Sequence, residues 1–135
     1  DVPRNMQCVA IQKGTEKILI GNLHGFWMPR SKTDNPQRIK QSKKIKEVLD
    51  SFPGPKILCG DFNLHPETKS MKMLEENMRN LVIEYGIKGT RSKLHKRTQK
   101  FADYIMVSDE VKINKFEVID EHVSDHLPLL LDFSV

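Results

Sequence analysis

The chain has 135 residues, with 22 lysines and arginines against 18 aspartates and glutamates, which leaves a formal net charge of +4 at pH 7. Hydrophobic residues make up 38% of the sequence, which excludes an intrinsically disordered chain and predicts one globular domain or part of one. The apolar runs are no longer than a strand, so the sequence also excludes a membrane-spanning helix.

The start of the chain predicts a β-hairpin. Strand-forming residues at 6–12 and 17–23 flank turn-like residues at 13–16, as in two antiparallel strands. Cys8 and Cys59 both fall in apolar strand-like runs, so we expect two small buried side chains rather than a disulfide. Free thiols and the lack of a targeting pattern predict a reducing, cytoplasmic setting.

An amphipathic helix is predicted next. Apolar residues recur at helical spacing over 36–52, Asp34 or Asn35 is available as the N-cap, and the Pro-Gly-Pro at 53–55 ends the pattern. Residues 56–60 then read as a short buried strand that runs into a polar loop. The order strand, helix, strand is typical of a sheet with helices packed on it.

The rest of the chain predicts one more helix and three more strands. The helix covers 66–78, and the strands cover 101–107, 113–119 and 127–133. Residues 88–100 hold six basic side chains and no acidic one, which predicts an exposed loop or edge strand. The fold class expected is α/β, with a mixed sheet and helices on one face.

Four polar clusters stand at the ends of predicted strands. They are Asn22-Leu23-His24-Gly25, Gly60-Asp61-Phe62-Asn63, Ala102-Asp103-Tyr104 and Ser124-Asp125-His126-Leu127-Pro128. Strand ends of an open sheet are where side chains converge on a ligand. Carboxylates, imidazoles and carboxamides together suit the hydrolysis of a phosphate ester. Taken singly, each cluster is also typical of a capped turn or a buried, hydrogen-bonded side chain.

In this order, the four clusters resemble the endonuclease/exonuclease/phosphatase superfamily over nearly the whole chain. The resemblance implies a mixed β-sheet with flanking helices that forms about half of the family's four-layer α/β sandwich. The family domain is much longer than this chain. We therefore expect residues 1–135 to be a single partial domain, the C-terminal half, and the start at Asp1 rather than at methionine agrees with this.

The resemblance also implies roles for individual residues. His126 resembles the catalytic imidazole at the scissile phosphate, and Asp103 resembles the carboxylate that orients it. Asp61 resembles the residue that aligns or deprotonates the attacking water, and Asn63 the amide that holds a phosphate oxygen or a second metal. His24 matches a second histidine, which assists the leaving group in the deoxyribonuclease branch.

The resemblance implies a divalent cation, Mg²⁺ or Mn²⁺, with Asp125 as a ligand, since hard cations take oxygen ligands. No glutamate of this sequence matches the family's principal metal ligand. We therefore expect the 135-residue chain to be weak or inactive alone. We also expect an uncovered sheet face, which a missing N-terminal half or self-association would cover.

The basic segment 88–100 precedes the Asp103 strand, and its Arg91 and Lys93 are candidates to bind phosphate. A second basic stretch lies at 30–46, and both stretches are equally typical of solvated faces. The predicted function is a divalent-metal-dependent phosphoesterase that hydrolyses a phosphodiester, with nucleic acid as the favoured substrate, by in-line attack of water. The alternatives are a non-catalytic remnant that binds phosphate or nucleic acid, and a lipid or inositol phosphoesterase.

Overall fold

The computed structural model describes residues 4–135 and has ten regular elements within them. In chain order they are β1 (Met6–Lys13), β2 (Glu16–His24), α1 (Pro36–Ser51), β3 (Lys56–Asp61), α2 (Lys69–Glu75), β4 (Arg79–Asn80), α3 (Leu81–Glu84), β5 (Asp103–Val107), β6 (Lys112–Val118) and β7 (Leu129–Ser134). The predicted hairpin, first helix and α/β fold class are therefore confirmed. None of the helices in these residues is long and apolar enough to cross a membrane.

Five strands form a mixed sheet in the order β1-β2-β3-β5-β4. β2 and β3 are parallel, because α1 carries the chain back across the sheet between them, and the other neighbours are antiparallel. β6 and β7 pair with each other as a second, two-stranded sheet, and β7 contacts β5. The prediction of a single sheet is therefore wrong for β6 and β7, because sequence patterns indicate where strands lie but not which strands pair.

The helix starts are set by side chains that cap them. Asn35 caps α1 by accepting the backbone N–H three residues further on at 2.9 Å. Asp34, the other predicted cap, reaches across to α2 and accepts the N–H groups of Lys69 and Ser70 at 2.8 and 3.0 Å. Because Thr68 is the N-cap of α2, the predicted helix over 66–78 is wrong in its bounds, and α2 is a short helix.

One hydrophobic core joins the sheet to α1 and α2. Its fully buried members include Leu58, Met71, Tyr104 and Met106. Met6 lines a groove with residues of α1, so β1 meets the helices at its first residue.

The opposite face of β1 is open to solvent. Val9 is 54% exposed and Ile11 is 45% exposed, and both project from the face opposite to Met6. Cys8 is also exposed, so its predicted burial is wrong, whereas Cys59 is half-buried. β1 is the edge strand of the sheet, and a residue there has a neighbour strand on one side only. This geometry accounts for the exposure of an apolar strand.

Candidate active site

Three of the predicted site residues form a row across adjacent strands. His24 at the end of β2 is the register partner of Asp61 at the end of β3. Asp61 is in turn the register partner of Asp103, the first residue of β5. Because one register row brings the three residues to the same edge of the sheet, backbone hydrogen bonds set the spacing of the two carboxylates. His24 is exposed at the outer end of the row, where its ring contacts Arg4.

His126 joins this row from the loop before β7. Its Nδ1 lies 2.8 and 2.9 Å from the two carboxylate oxygens of Asp103. An isolated antiparallel bridge pairs His126 with Arg91. Thr90, which is fully buried, accepts the backbone N–H groups of Ala102 and Asp103 at 3.1 Å through Oγ1. The loop 88–100 is therefore anchored directly beside the site, and the prediction that it is simply exposed is wrong at Thr90.

The contact with Asp103 controls the charge of the His126 imidazole. Its hydrogen bond to the carboxylate raises the pKa of His126 above the ordinary value, against the opposing effects of burial and of the Arg91 charge. Arg91 Nη1 lies 2.5 Å from Nε2, the ring nitrogen that faces away from Asp103. The imidazole thus has one nitrogen fixed by a carboxylate and the other beside a cation that a phosphate oxygen can attract.

The loop after β3 turns back so that the backbone of Asn63 contacts the Asp61 carboxylate. The Asn63 N–H donates to Oδ1 of Asp61 at 2.9 Å, and the backbone of Asn63 is left-handed, with φ at 54°. The Asn63 side chain is 1% exposed. Its amide nitrogen donates to the Gly25 carbonyl at 3.2 Å, and its oxygen accepts from Lys32 at 2.6 Å. Both ends of this amide are therefore engaged inside the protein.

A second contact fixes the same loop from below. The hydroxyl group of Tyr104 donates to the Leu64 carbonyl at 2.8 Å, and the Phe62 ring packs edge-to-face on the Tyr104 ring at 5.2 Å. Burial raises the pKa of Tyr104 far above the usual range, so this hydroxyl keeps its proton. Tyr104 follows Asp103 in β5, and it therefore links the two segments that carry the paired carboxylates.

Asp125 and Lys93 lie further from the row. The Asp125 carboxylate is half-exposed and forms an ion pair with Arg91 at 2.8 Å. His95 Nδ1 lies 3.5 Å from the same carboxylate oxygen. Lys93 is exposed, and its backbone N–H donates to the His122 ring. The structure thus brings together His24, Asp61, Asp103 and His126, with Arg91 beside them. Lys93 is exposed and lies apart from this group.

Two residues near the site were hidden in the second basic stretch. Arg38 is 1% exposed, and it donates to the carbonyls of Ser31, Thr33 and Phe26. Lys32 is half-buried, and burial lowers its pKa to about 8 despite the opposing effect of Asp61. For these two residues, the interpretation of residues 30–46 as a solvated face is wrong. The helical phase of Arg38, seven residues before the buried Ile45, is the one sequence signal that could have indicated its burial.

The sequence of this chain matches the family model described as the endonuclease/exonuclease/phosphatase family over residues 2–126. The chain belongs to this family. A search of curated protein sequences finds no significant match. Members of the endonuclease/exonuclease/phosphatase family act on phosphoesters, so the family is one of hydrolases.

Solved structures of the endonuclease/exonuclease/phosphatase fold superpose on nearly the whole chain. A family member from Bacteroides thetaiotaomicron has a TM-score of 0.73 at 21% identity, covering 97% of this chain and 56% of that one. The TDP2 protein of D. rerio, complexed with a single-strand DNA product, has a TM-score of 0.75 at 16% identity, with coverages of 98% and 62%. A mannosyl-6-phosphatase from Bacteroides thetaiotaomicron has a TM-score of 0.65 at 21% identity, with coverages of 88% and 52%. The chain thus spans little more than half the length of these structures.

The family generally uses divalent metals, and the described residues offer part of a site for one. Ligand atoms of Asp61, Asp103 and His126 all lie within 4.8 Å of one another. The Asp103 oxygens both face His126, however, and the Asp125 carboxylate faces Arg91. Mg²⁺ takes six oxygen ligands, so the two carboxylates fit a hard cation in kind, the His126 nitrogen does not, and the set falls short in number. Water, substrate oxygens or other protein residues must supply the remaining ligands.

Proposed function

We propose that this chain supplies the acid–base residues of a divalent-metal-dependent phosphoesterase, which hydrolyses a phosphodiester by in-line attack of water. The observation that carries the proposal is the His126–Asp103 pair, 2.8 Å apart, at the same strand ends as Asp61. A histidine held by a partly buried carboxylate at a charged sheet edge is the arrangement of a general acid–base or charge-stabilising pair.

Each residue of the row has a task in this reaction. The Asp61 carboxylate accepts the proton of the attacking water while the water oxygen forms its bond to phosphorus. In the structure Nε2 of His126 accepts from Arg91, so this step requires that the phosphate first attract the guanidinium away. The His126 imidazolium, held by Asp103, then donates through Nε2 to a non-bridging oxygen as negative charge develops there. The bond from phosphorus to the leaving oxygen then breaks, and His24, at the outer end of the row, is the candidate donor of its proton.

Arg91 and Asp125 form a second layer of the proposed site. A phosphate oxygen competes with Asp125 for the Arg91 guanidinium, since both are anions that accept a charge-assisted hydrogen bond. Asp125, once released from Arg91, is the carboxylate we assign to the metal, and Lys93 is the candidate rim cation for a longer substrate. A bound Mg²⁺ or Mn²⁺ supplies positive charge to the phosphate oxygens.

Nucleic acid is the substrate class we favour. The loop 88–100 brings Arg91 beside the catalytic pair and carries further basic residues, and a nucleic-acid backbone offers a row of phosphates to such a loop. Support also comes from the neighbouring TDP2 structure, which holds a single-strand DNA product. Lipid and inositol phosphates are polyanions as well, so they belong in the test as competing substrates.

The test is a phosphodiesterase assay on the 135-residue chain with bis-p-nitrophenyl phosphate and plasmid DNA. Reactions contain Mg²⁺, Mn²⁺ or EDTA, and inositol phosphates and a phosphodiester lipid are run in parallel. Because the chain spans little more than half the length of its structural neighbours, we expect only weak metal-dependent cleavage. This cleavage should fall by about 100-fold or more in His126→Ala, the range typical of a lost acid–base group. His122→Ala is the matched control, because His122 pairs with Asp120 outside the row.

The outcomes separate the rival functions. DNA binding by a folded chain, with no cleavage that depends on His126, would favour a non-catalytic remnant of the fold. Cleavage of the lipid or inositol substrates in preference to DNA would move the assignment to those phosphoesters. Weak activity whose value per mole of chain rises with protein concentration would indicate that a second copy of the chain covers the open face of β1.

A further inference from the structure

Lys32 places a second cation at the edge of the proposed site. Its Nζ donates to Asn63 Oδ1 at 2.6 Å, and the charges that act on it are those of Asp61, Arg91, Asp103 and Arg38. Lys32 and Arg91 also line one small recess, together with Arg30 and Arg97. Of these four cations, Lys32 and Arg91 are the two that the charges of the carboxylate row or of His126 reach.

The partner of Lys32 is a neutral amide, and this leaves bonding capacity on the ammonium group. An ammonium has three N–H donors, and the amide oxygen of Asn63 accepts one of them. The Asn63 amide nitrogen already donates to the Gly25 carbonyl, and the side chain is 1% exposed. An anion that arrives in the recess can therefore reach the Lys32 ammonium, whereas both ends of the Asn63 amide are taken.

The loop that carries Lys32 is held in place from within the protein. Arg38, which is buried, donates to the backbone carbonyls of Phe26, Ser31 and Thr33, on both sides of Lys32. The Lys32 carbonyl accepts the His65 N–H at 2.8 Å. These contacts fix the backbone at Lys32, and the hydrogen bond to Asn63 holds its ammonium before any ligand is present. A preorganised donor loses little further freedom when it binds an anion.

We propose that Lys32 and Arg91 together bind the non-bridging oxygens of the substrate phosphate, and that Asn63 is a positioning residue that holds the Lys32 ammonium. The left-handed backbone at Asn63 directs its side chain between the Gly25 carbonyl and Lys32. The assignment rests on the proposed phosphoesterase function for the identity of the ligand. The two basic side chains would hold the oxygens of one phosphate group near Asp61.

Titration calorimetry with inorganic phosphate, in buffer that contains EDTA, tests the assignment without turnover. We expect Lys32→Met to weaken phosphate binding by about tenfold or more, the usual effect of a lost charge-assisted hydrogen bond. Lys43→Met is the matched control, since Lys43 is an exposed lysine of α1. Lys32→Gln repeats the measurement if the methionine variant melts below the working temperature.

A double-variant cycle tests the role of Asn63. Asn63→Gly keeps the left-handed backbone accessible and removes the amide that holds Lys32. We expect it to weaken phosphate binding in the parent chain and to have no further effect in a Lys32→Met chain. Additive losses would overturn the positioning role, because Asn63 would then act independently of Lys32.

The remaining results separate this assignment from the proposed function. A parent chain that does not bind phosphate, or a Lys32→Met variant that binds it as Lys43→Met does, would overturn the assignment of Lys32. Lys32-dependent phosphate binding by a chain that hydrolyses none of the diesters would leave the anion site in place and refute the proposed hydrolysis. Hydrolysis that depends on His126 but not on Lys32 would support the proposed function and refute the phosphate-binding role of Lys32.

Discussion

Replacing Tyr104 by phenylalanine removes one hydroxyl group from the link between β5 and the loop after β3. The hydroxyl is fully buried and donates to the Leu64 carbonyl at 2.8 Å, so the variant leaves a buried acceptor without its donor. Such a loss costs about 1–3 kcal/mol. For 135 residues, the unfolding entropy at the midpoint is about 0.3 kcal/mol per kelvin. A loss of about 1.5 kcal/mol therefore lowers the melting temperature by about 5 °C.

Thermal unfolding followed by circular dichroism in EDTA measures this shift. Tyr85→Phe is a close control, because the Tyr85 ring packs on Phe116 at the same 5.2 Å and 71° that relate Phe62 to Tyr104. Tyr85 is 47% exposed, so its hydroxyl can bond to water in both states. Equal melting temperatures for the two variants would refute the reasoning that the Tyr104 hydroxyl anchors the loop.

Three more substitutions test other parts of the structure. Asp103→Asn should lower the pKa of His126, measured by NMR titration, because the carboxylate raises that pKa. The stabilisation from the pair is complete below about pH 6.5 and is lost as the pH rises through the folded-state pKa. The melting temperatures of the parent and variant chains should therefore converge at high pH. Gly60→Ala should destabilise the chain by at least about 3 kcal/mol in urea unfolding, because Gly60 has φ at +126° and an added Cβ would overlap a backbone carbonyl of β2; a loss below about 1 kcal/mol would contradict this. Val9→Thr combined with Ile11→Thr should reduce any concentration-dependent association in analytical ultracentrifugation, and unchanged association would move the contact away from this face.

The sequence predicted those parts of the fold that local patterns control. The hairpin of β1 and β2 follows from two runs of strand formers around a turn, and α1 begins at a residue that Asn35 caps. The start of α2 has a local signal that the prediction missed, because the Thr68 hydroxyl caps the helix by accepting the Met71 N–H. Asp34, 35 residues before Lys69, also accepts N–H groups of the first turn, and this distant contact leaves no local signal. The separate pairing of β6 with β7 likewise depends on tertiary packing.

The same distinction holds for the site. Asp61, Asp103 and His126 were predicted from motif order, and the structure brings them together at one sheet edge. Lys32 was predicted only as part of a basic stretch. Its sequence neighbours do not indicate that the buried Arg38 bonds to the backbone of its loop and holds that loop against the protein. For Asp125, the predicted role as a metal ligand stays a prediction, and the carboxylate pairs with Arg91 in the structure.

The register match of Asp61 with Asp103 ties assembly of the site to one strand pairing. The two carboxylates are adjacent only while β3 and β5 are paired. Amide protons of these two strands should therefore exchange with solvent at the rate at which the paired carboxylates separate. A segment that opens without breaking this ladder, such as the end of β1, can fray while the acid pair stays intact.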